Sequence, residues 1–177
     1  MGAFAIDAVT LKPAYGGERI DWKWATSTAL LDILPEDQRH GLHEVTHFPG
    51  RGLLIPSEVF RAIGRFDDKH FPHYSADYDF THRAIRAGFK VYCNYDAILH
   101  IFPEVSGKAE NKRQKNLLNY YRHLFGTTGG GNLKVFIFYA LRNCPPRYLP
   151  LFLPIGLVRR ITGYLRDWVL EHLEERS

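Results

Sequence analysis

Residues 75–92 impose the strongest constraint on the fold. Ser75 suits a helix N-cap, and Phe80, Ala84 and Ile85 form an apolar stripe at helical spacing up to Ala87. Gly88 is placed to end that helix in the left-handed conformation, and Phe89 to Tyr92 predict a strand directly after it. A glycine-terminated helix running straight into an apolar strand belongs to an α/β domain. The 177 residues are 45% hydrophobic, enough for one domain with a sizeable core and too many for a disordered chain.

Around this centre the pattern predicts further elements. Residues 3–11 read as a buried strand, and residues 12–24 as a loop whose large rings, Tyr15, Trp22 and Trp24, are expected to pack on partners outside the chain. Residues 43–55 predict a strand, a turn at Pro49-Gly50 and a second short strand. Residues 58–63 predict a short helix closed by Gly64, and residues 96–102 another apolar run that carries His100. Residues 108–125 turn basic and then amphipathic. Residues 126–132 form a glycine-rich break, and the remainder reads as helix interrupted around Pro145, Pro146, Pro150 and Pro154.

Several functional classes fall away at this point. Cys93 and Cys144 are far apart and form no CxxC pair, so neither a zinc site nor a disulfide framework is expected. Residues 1–4 carry no basic segment of a secretory signal, and Ile6 breaks the myristoylation pattern, so a cytoplasmic location is expected. The formal charge of +4 attracts phosphates or anionic lipids mildly and does not select nucleic acid. Residues 133–141 and 148–158 are apolar but fall short of the about 20 residues that span a bilayer. With Arg142, Arg147, Arg159, Arg160 and Arg166 interleaved, residues 133–168 read either as a surface that lies on the inner face of the plasma membrane or as helices packed on their own domain.

The chemistry-bearing residues come in a fixed order. Gly64-Arg65-Phe66-Asp67 precedes Ser75-Ala76-Asp77-Tyr78-Asp79-Phe80; Arg83, then Arg86-Ala87-Gly88-Phe89 and finally His100 follow. This order resembles the C-terminal half of family 2 glycosyltransferases of the GT-A fold, over residues 43–102. The resemblance implies the distal half of a GT-A mixed sheet with flanking helices over residues 1–106, and a helical basic-aromatic extension over residues 107–177. It implies an inverting enzyme that moves a sugar from a nucleoside diphosphate sugar to a polysaccharide, lipid-linked or other surface-glycan acceptor, as in bacterial cell-surface polysaccharide synthesis. A divalent metal, Mn²⁺ or Mg²⁺, is implied as cofactor.

By that motif Asp77 takes the place of the base, and capping of its own helix is the structural alternative. Asp79 sits about 200° around the helix from Asp77, so an exposed pair with Arg83 at i+4 is expected, with substrate contact by Asp79 and Arg83 as the lesser option. Ala76 stands where the family usually has an acidic residue that contacts the acceptor. Gly50-Arg51-Gly52 resembles the small-residue loop beneath donor and acceptor, and Arg51 suits a phosphate. His100 matches the histidine that approaches the diphosphate or its metal. The other histidines, including His40, His43, His47, His70, His73 and His82, are expected at the surface. No D-x-D step precedes residue 43, so the nucleotide-binding half is expected to lie outside this chain. The alternative function is a non-catalytic module that binds a partner or a membrane surface; a metal-dependent hydrolase using Asp77, Asp79 and His100 is disfavoured by the opposed directions of the two aspartates.

Overall fold

The computed structural model describes residues 1–102 and 117–174. The chain opens with β1 (Gly2–Asp7) and β2 (Pro13–Tyr15), followed by a hairpin of β3 (Glu18–Asp21) and β4 (Thr26–Ala29) and the single turn α1 (Leu30–Ile33). After β5 (Leu42–Glu44) come α2 (Ser57–Ile63), α3 (Ala76–Arg86) and β6 (Tyr92–Ile101). Three helices complete the described chain: α4 (Leu117–Phe125), α5 (Leu133–Asn143) and α6 (Leu149–Glu174). The main sheet is mixed, with strand order β2-β1-β6-β5; only β1 and β6 run parallel in it.

The strand β6 joins what the sequence splits into two runs. Its register against β1 jumps from Ala3↔Asn94 to Phe4↔Ile98, a bulge that lets one strand serve both halves. Side chains there take up the backbone donors: Asn94 Oδ1 accepts from the Asp96 N–H at 3.0 Å, and Asp96 Oδ1 accepts from the Gly41 N–H at 3.0 Å. Residues 43–55 form one strand rather than two, since Leu53 makes only an isolated bridge to Gly2. Residues 12–24 are likewise not all loop, because β2 and the whole first arm of the β3–β4 hairpin lie there.

One cap of α3 differs from expectation and the other agrees with it. At the start of α3, Ser75 is left-handed, with φ 70°, and its hydroxyl caps nothing; the Asp77 carboxylate accepts from the first-turn N–H of Tyr78 instead. The helix ends on Gly88, whose φ of 91° is free for glycine and strained for other residues. In the C-terminal part only Pro145 and Pro146 separate helices, while Pro150 and Pro154 lie within α6. Pro150 falls in the first turn, where its missing N–H would have no partner.

Three apolar clusters hold these elements. Leu30, Val45, Phe48, Cys93 and Tyr95 pack against the sheet, and Val59, Phe80 and Ala84 join α2 to α3. The third cluster, built on Phe71, Phe136, Tyr139, Ala140 and Phe152, also takes in Ile20, Trp22 and Tyr78. The Trp22 ring lies 5.0 Å from Phe152 and 5.1 Å from His82 between centroids, so its partners are inside the chain after all. This core joins residues from both sides of position 106.

The last three helices also carry apolar side chains outward. Leu118, Tyr121 and Phe125 on α4, Ile137, Phe138 and Leu141 on α5, and Leu151, Val158, Ile161, Leu165 and Val169 on α6 are exposed. On α6 those five fall within about 100° of one another, a single stripe. Arg122, Lys134, Arg147, Arg159 and Arg166 are exposed beside them. Among the described residues no helix is long and apolar enough to cross a membrane.

Candidate active site

A cleft of about 870 Å³ is walled by the β3–β4 hairpin, the turn at Pro49-Gly50-Arg51, the start of α3, and α5 with α6. Asp77 stands on its wall, half-buried. Its Oδ2 accepts from the Gly50 N–H at 2.7 Å and its Oδ1 from the Tyr78 N–H at 2.9 Å. Two backbone donors from separate segments therefore fix the plane of the carboxylate. Gly50 and Arg51 line the cleft and Gly52 does not. A Cβ at Gly52 would come within 2.8 Å of Leu99, so that glycine serves the packing of the turn on β6.

A second carboxylate faces the same space. Glu18 Oε1 accepts from the Tyr78 hydroxyl at 3.1 Å and the Tyr15 hydroxyl at 3.4 Å, and lies 3.2 Å from His47 Nε2. Burial pulls the Glu18 pKa upward, but the bonds from His47, Tyr78 and Ser27 outweigh it and leave the carboxyl below its ordinary value. Burial first, then the charge of Glu18, push the Tyr78 phenol well above its ordinary range, so its hydroxyl remains a donor. No motif marks Glu18. Its alternation with Ile20, which enters the third core cluster, is the one sequence signal that puts it on an inward face.

His47 and His82 are buried, at 2% and 6% exposure, which corrects the surface placement expected of them. The segment from Val45 to Phe48 is drawn into the core, and the His47 ring packs 4.5 Å from Tyr78 and 5.3 Å from His82. His82 Nε2 lies 2.7 Å from the Tyr139 hydroxyl. Burial, helped by His47 and Arg86, pushes the His82 pKa down to about 3, so the ring is neutral at physiological pH.

Asp79 and Arg83 do pair, at 2.8 Å, but not on an exposed helix face. Asp79 has no solvent exposure; its Oδ1 also accepts from Asn143 Nδ2 at 3.0 Å and lies 3.3 Å from Arg142 Nε. Arg83 donates further to the carbonyls of Ile63 and Arg65. Beside this network Asp67 accepts from His70 and Arg142. Its pKa, raised by desolvation, is brought well below the carboxylate range by Arg142 and His70. Neither Asp79 nor Arg83 lines the cleft: the network ties α3 to α5.

His100 is exposed on β6, paired with Ile6 of β1, and does not line the cleft. Among the described residues no three His, Cys, Asp or Glu side chains come together to hold a metal ion. Glu18 is committed to hydroxyl and imidazole donors, so the donor set for a divalent ion is not met by these residues. The cleft holds one further charged residue that the sequence pattern does not single out, Arg160 on α6.

A family model described as "Glycosyl transferase family group 2" matches residues 19–169, a span that takes in both the Asp77 cleft and the C-terminal helices. No curated protein and no solved structure matches the chain.

Proposed function

The chain belongs to glycosyl transferase family group 2, and on that premise we propose that it transfers a sugar with inversion from a nucleoside diphosphate sugar to a glycan or lipid-linked acceptor, with Asp77 as the base. Asp77 takes the proton of the acceptor hydroxyl while that oxygen bonds to the anomeric carbon. The bond from that carbon to the diphosphate breaks on the opposite face, and its electron pair leaves with the phosphate. The observation that carries this reading is the Asp77 carboxylate, held by the N–H groups of Gly50 and Tyr78 and open to the cleft. Each of its oxygens keeps a lone pair for the incoming hydroxyl. Glu18, Ser27 and Tyr78 give the same cleft a polar wall suited to sugar hydroxyls.

The described strands include one parallel pair and no consecutive β-α-β unit of the kind that binds nucleotides. This fits the reading that the nucleotide-binding half lies outside this chain. The exposed apolar stripes and neighbouring basic residues support peripheral contact of residues 133–168 with the inner face of a membrane.

The test is a transfer assay with the complete protein, radiolabelled UDP-, GDP- and dTDP-sugars and a membrane-extracted acceptor pool. Wild type should label a product that Asp77→Asn does not, while both bind the donor alike. Equal labelling by Asp77→Asn would remove Asp77 from the base position.

A further inference from the structure

Arg160 enters the wall of the Asp77 cleft. Among the described residues no acidic oxygen lies within salt-bridge distance of it, whereas Arg83 and Arg142 both meet Asp79. Its guanidinium carbon sits 3.7 Å over the Phe136 ring, and its Nη1 makes one long bond, 3.4 Å, to the Gly156 carbonyl a turn earlier. The position is built: a Cβ at Gly156 would fall 2.1 Å from Phe136 Cζ, so only glycine there lets the ring slide beneath the guanidinium. No buried side-chain nitrogen among the described residues lacks a partner, so the donors that Arg160 leaves unused are not sealed off from solvent, and the residue lines the cleft.

A guanidinium has five N–H donors in a planar fork that matches phosphate oxygens, and a half-buried cation is costly until an anion meets it. The face of Phe136 offsets part of that cost. Burial draws the Arg160 pKa down to about 10, which still leaves it charged at neutral pH. Gly130, exposed, lines the same cleft.

We infer that Arg160 binds a phosphate group carried by a substrate in the Asp77 cleft. The inference rests on the proposed function in taking that cleft as the substrate site. The phosphate belongs either to the donor's diphosphate or to an ester on the acceptor, and the chemistry of recognition is the same for both.

The test titrates the full chain with UDP, with geranyl phosphate and with geraniol as the phosphate-free control. Binding is read from tryptophan fluorescence and from the ¹⁵Nε resonance of Arg160. At least one phosphate probe should bind and move that resonance, and geraniol should not move it. Arg160→Gln should weaken that probe about tenfold or more, and Arg160→Lys should weaken it less. The probe affected identifies the source, donor or acceptor. Absence of any phosphate-dependent movement of the Arg160 resonance, or an Arg160→Gln protein that binds as wild type does, overturns the inference. If Arg160→Gln does not fold, the wild-type resonance alone decides. Asp77→Asn should bind the probe at least as well as wild type, so failure of the base assignment and failure of the phosphate site give different results.

Discussion

Arg142 Nε lies 3.3 Å from Oδ1 of Asp79, a carboxylate with no solvent exposure that also holds Arg83 and Asn143. Asp79→Asn would leave Arg83 without its carboxylate and Arg142 with Asp67 alone. Removing one partner of such a network costs about 3–5 kcal/mol, far more than the about 0.3–0.5 kcal/mol of a helical pair in solvent. Urea unfolding followed by circular dichroism should show a large fall in midpoint for Asp79→Asn, and an unchanged midpoint would contradict the network.

Asp77→Asn should act on rate instead. Loss of a general base lowers turnover about 10²- to 10⁴-fold. The amide has one acceptor oxygen where the carboxylate has two, so either the Gly50 or the Tyr78 N–H loses its partner, at about 1 kcal/mol. A small shift in melting temperature with near-complete loss of transfer is expected. A large shift would mean that the residue's main task is to cap α3.

His82 gives the fold a dependence on pH. Its pKa is near 3 in the folded chain and 6.5 when unperturbed, so between these values the unfolded chain binds a proton that the native chain does not. The stability it contributes is complete above pH 6.5 and is lost as pH falls through the window. The groups that face it are His47, Arg86 and Tyr139. The unfolding midpoint should decline from pH 6.5 to 5, above the range where ordinary carboxylates protonate, and His82→Gln should flatten that decline. An equal decline in His82→Gln would assign it to another group.

The outward faces of α5 and α6 predict binding to anionic vesicles. Basic residues near such a surface contribute about 1 kcal/mol each, and the apolar stripe adds burial in the lipid interface. The protein should sediment with phosphatidylserine-containing vesicles at low salt and be released as salt rises. Leu141→Asp with Val158→Asp should weaken binding without unfolding, since both side chains are exposed. Failure to sediment at low salt would remove the membrane reading.

How much of this was legible in the sequence depends on the range of each interaction. The helix at Asp77 and its glycine stop were readable because caps and periodicity are local, and the position of Asp77 followed from the order of its neighbours. The burial of Asp79 was not readable, because Arg142 and Asn143 lie more than sixty positions further along the chain. Glu18 was hidden for a similar reason, since His47 and Tyr78 reach it from 29 and 60 positions away. The β6 bulge stayed hidden because Asn94 and Asp96 look like the end of a strand until their side chains are seen to satisfy its backbone. The basic stretch before α4, residues 108–116, lies outside the described residues.

Trp22, seated between Phe152, Tyr139 and His82, makes the early hairpin and the last helices parts of one cooperative unit. Because the third apolar cluster is built from both regions, tryptophan emission and far-ultraviolet ellipticity should trace a single, coincident denaturation curve. A chain cut after residue 106 should then lose that cooperativity, because the Trp22 indole and the buried Asp79 of α3 would both lose the partners that α5 and α6 supply.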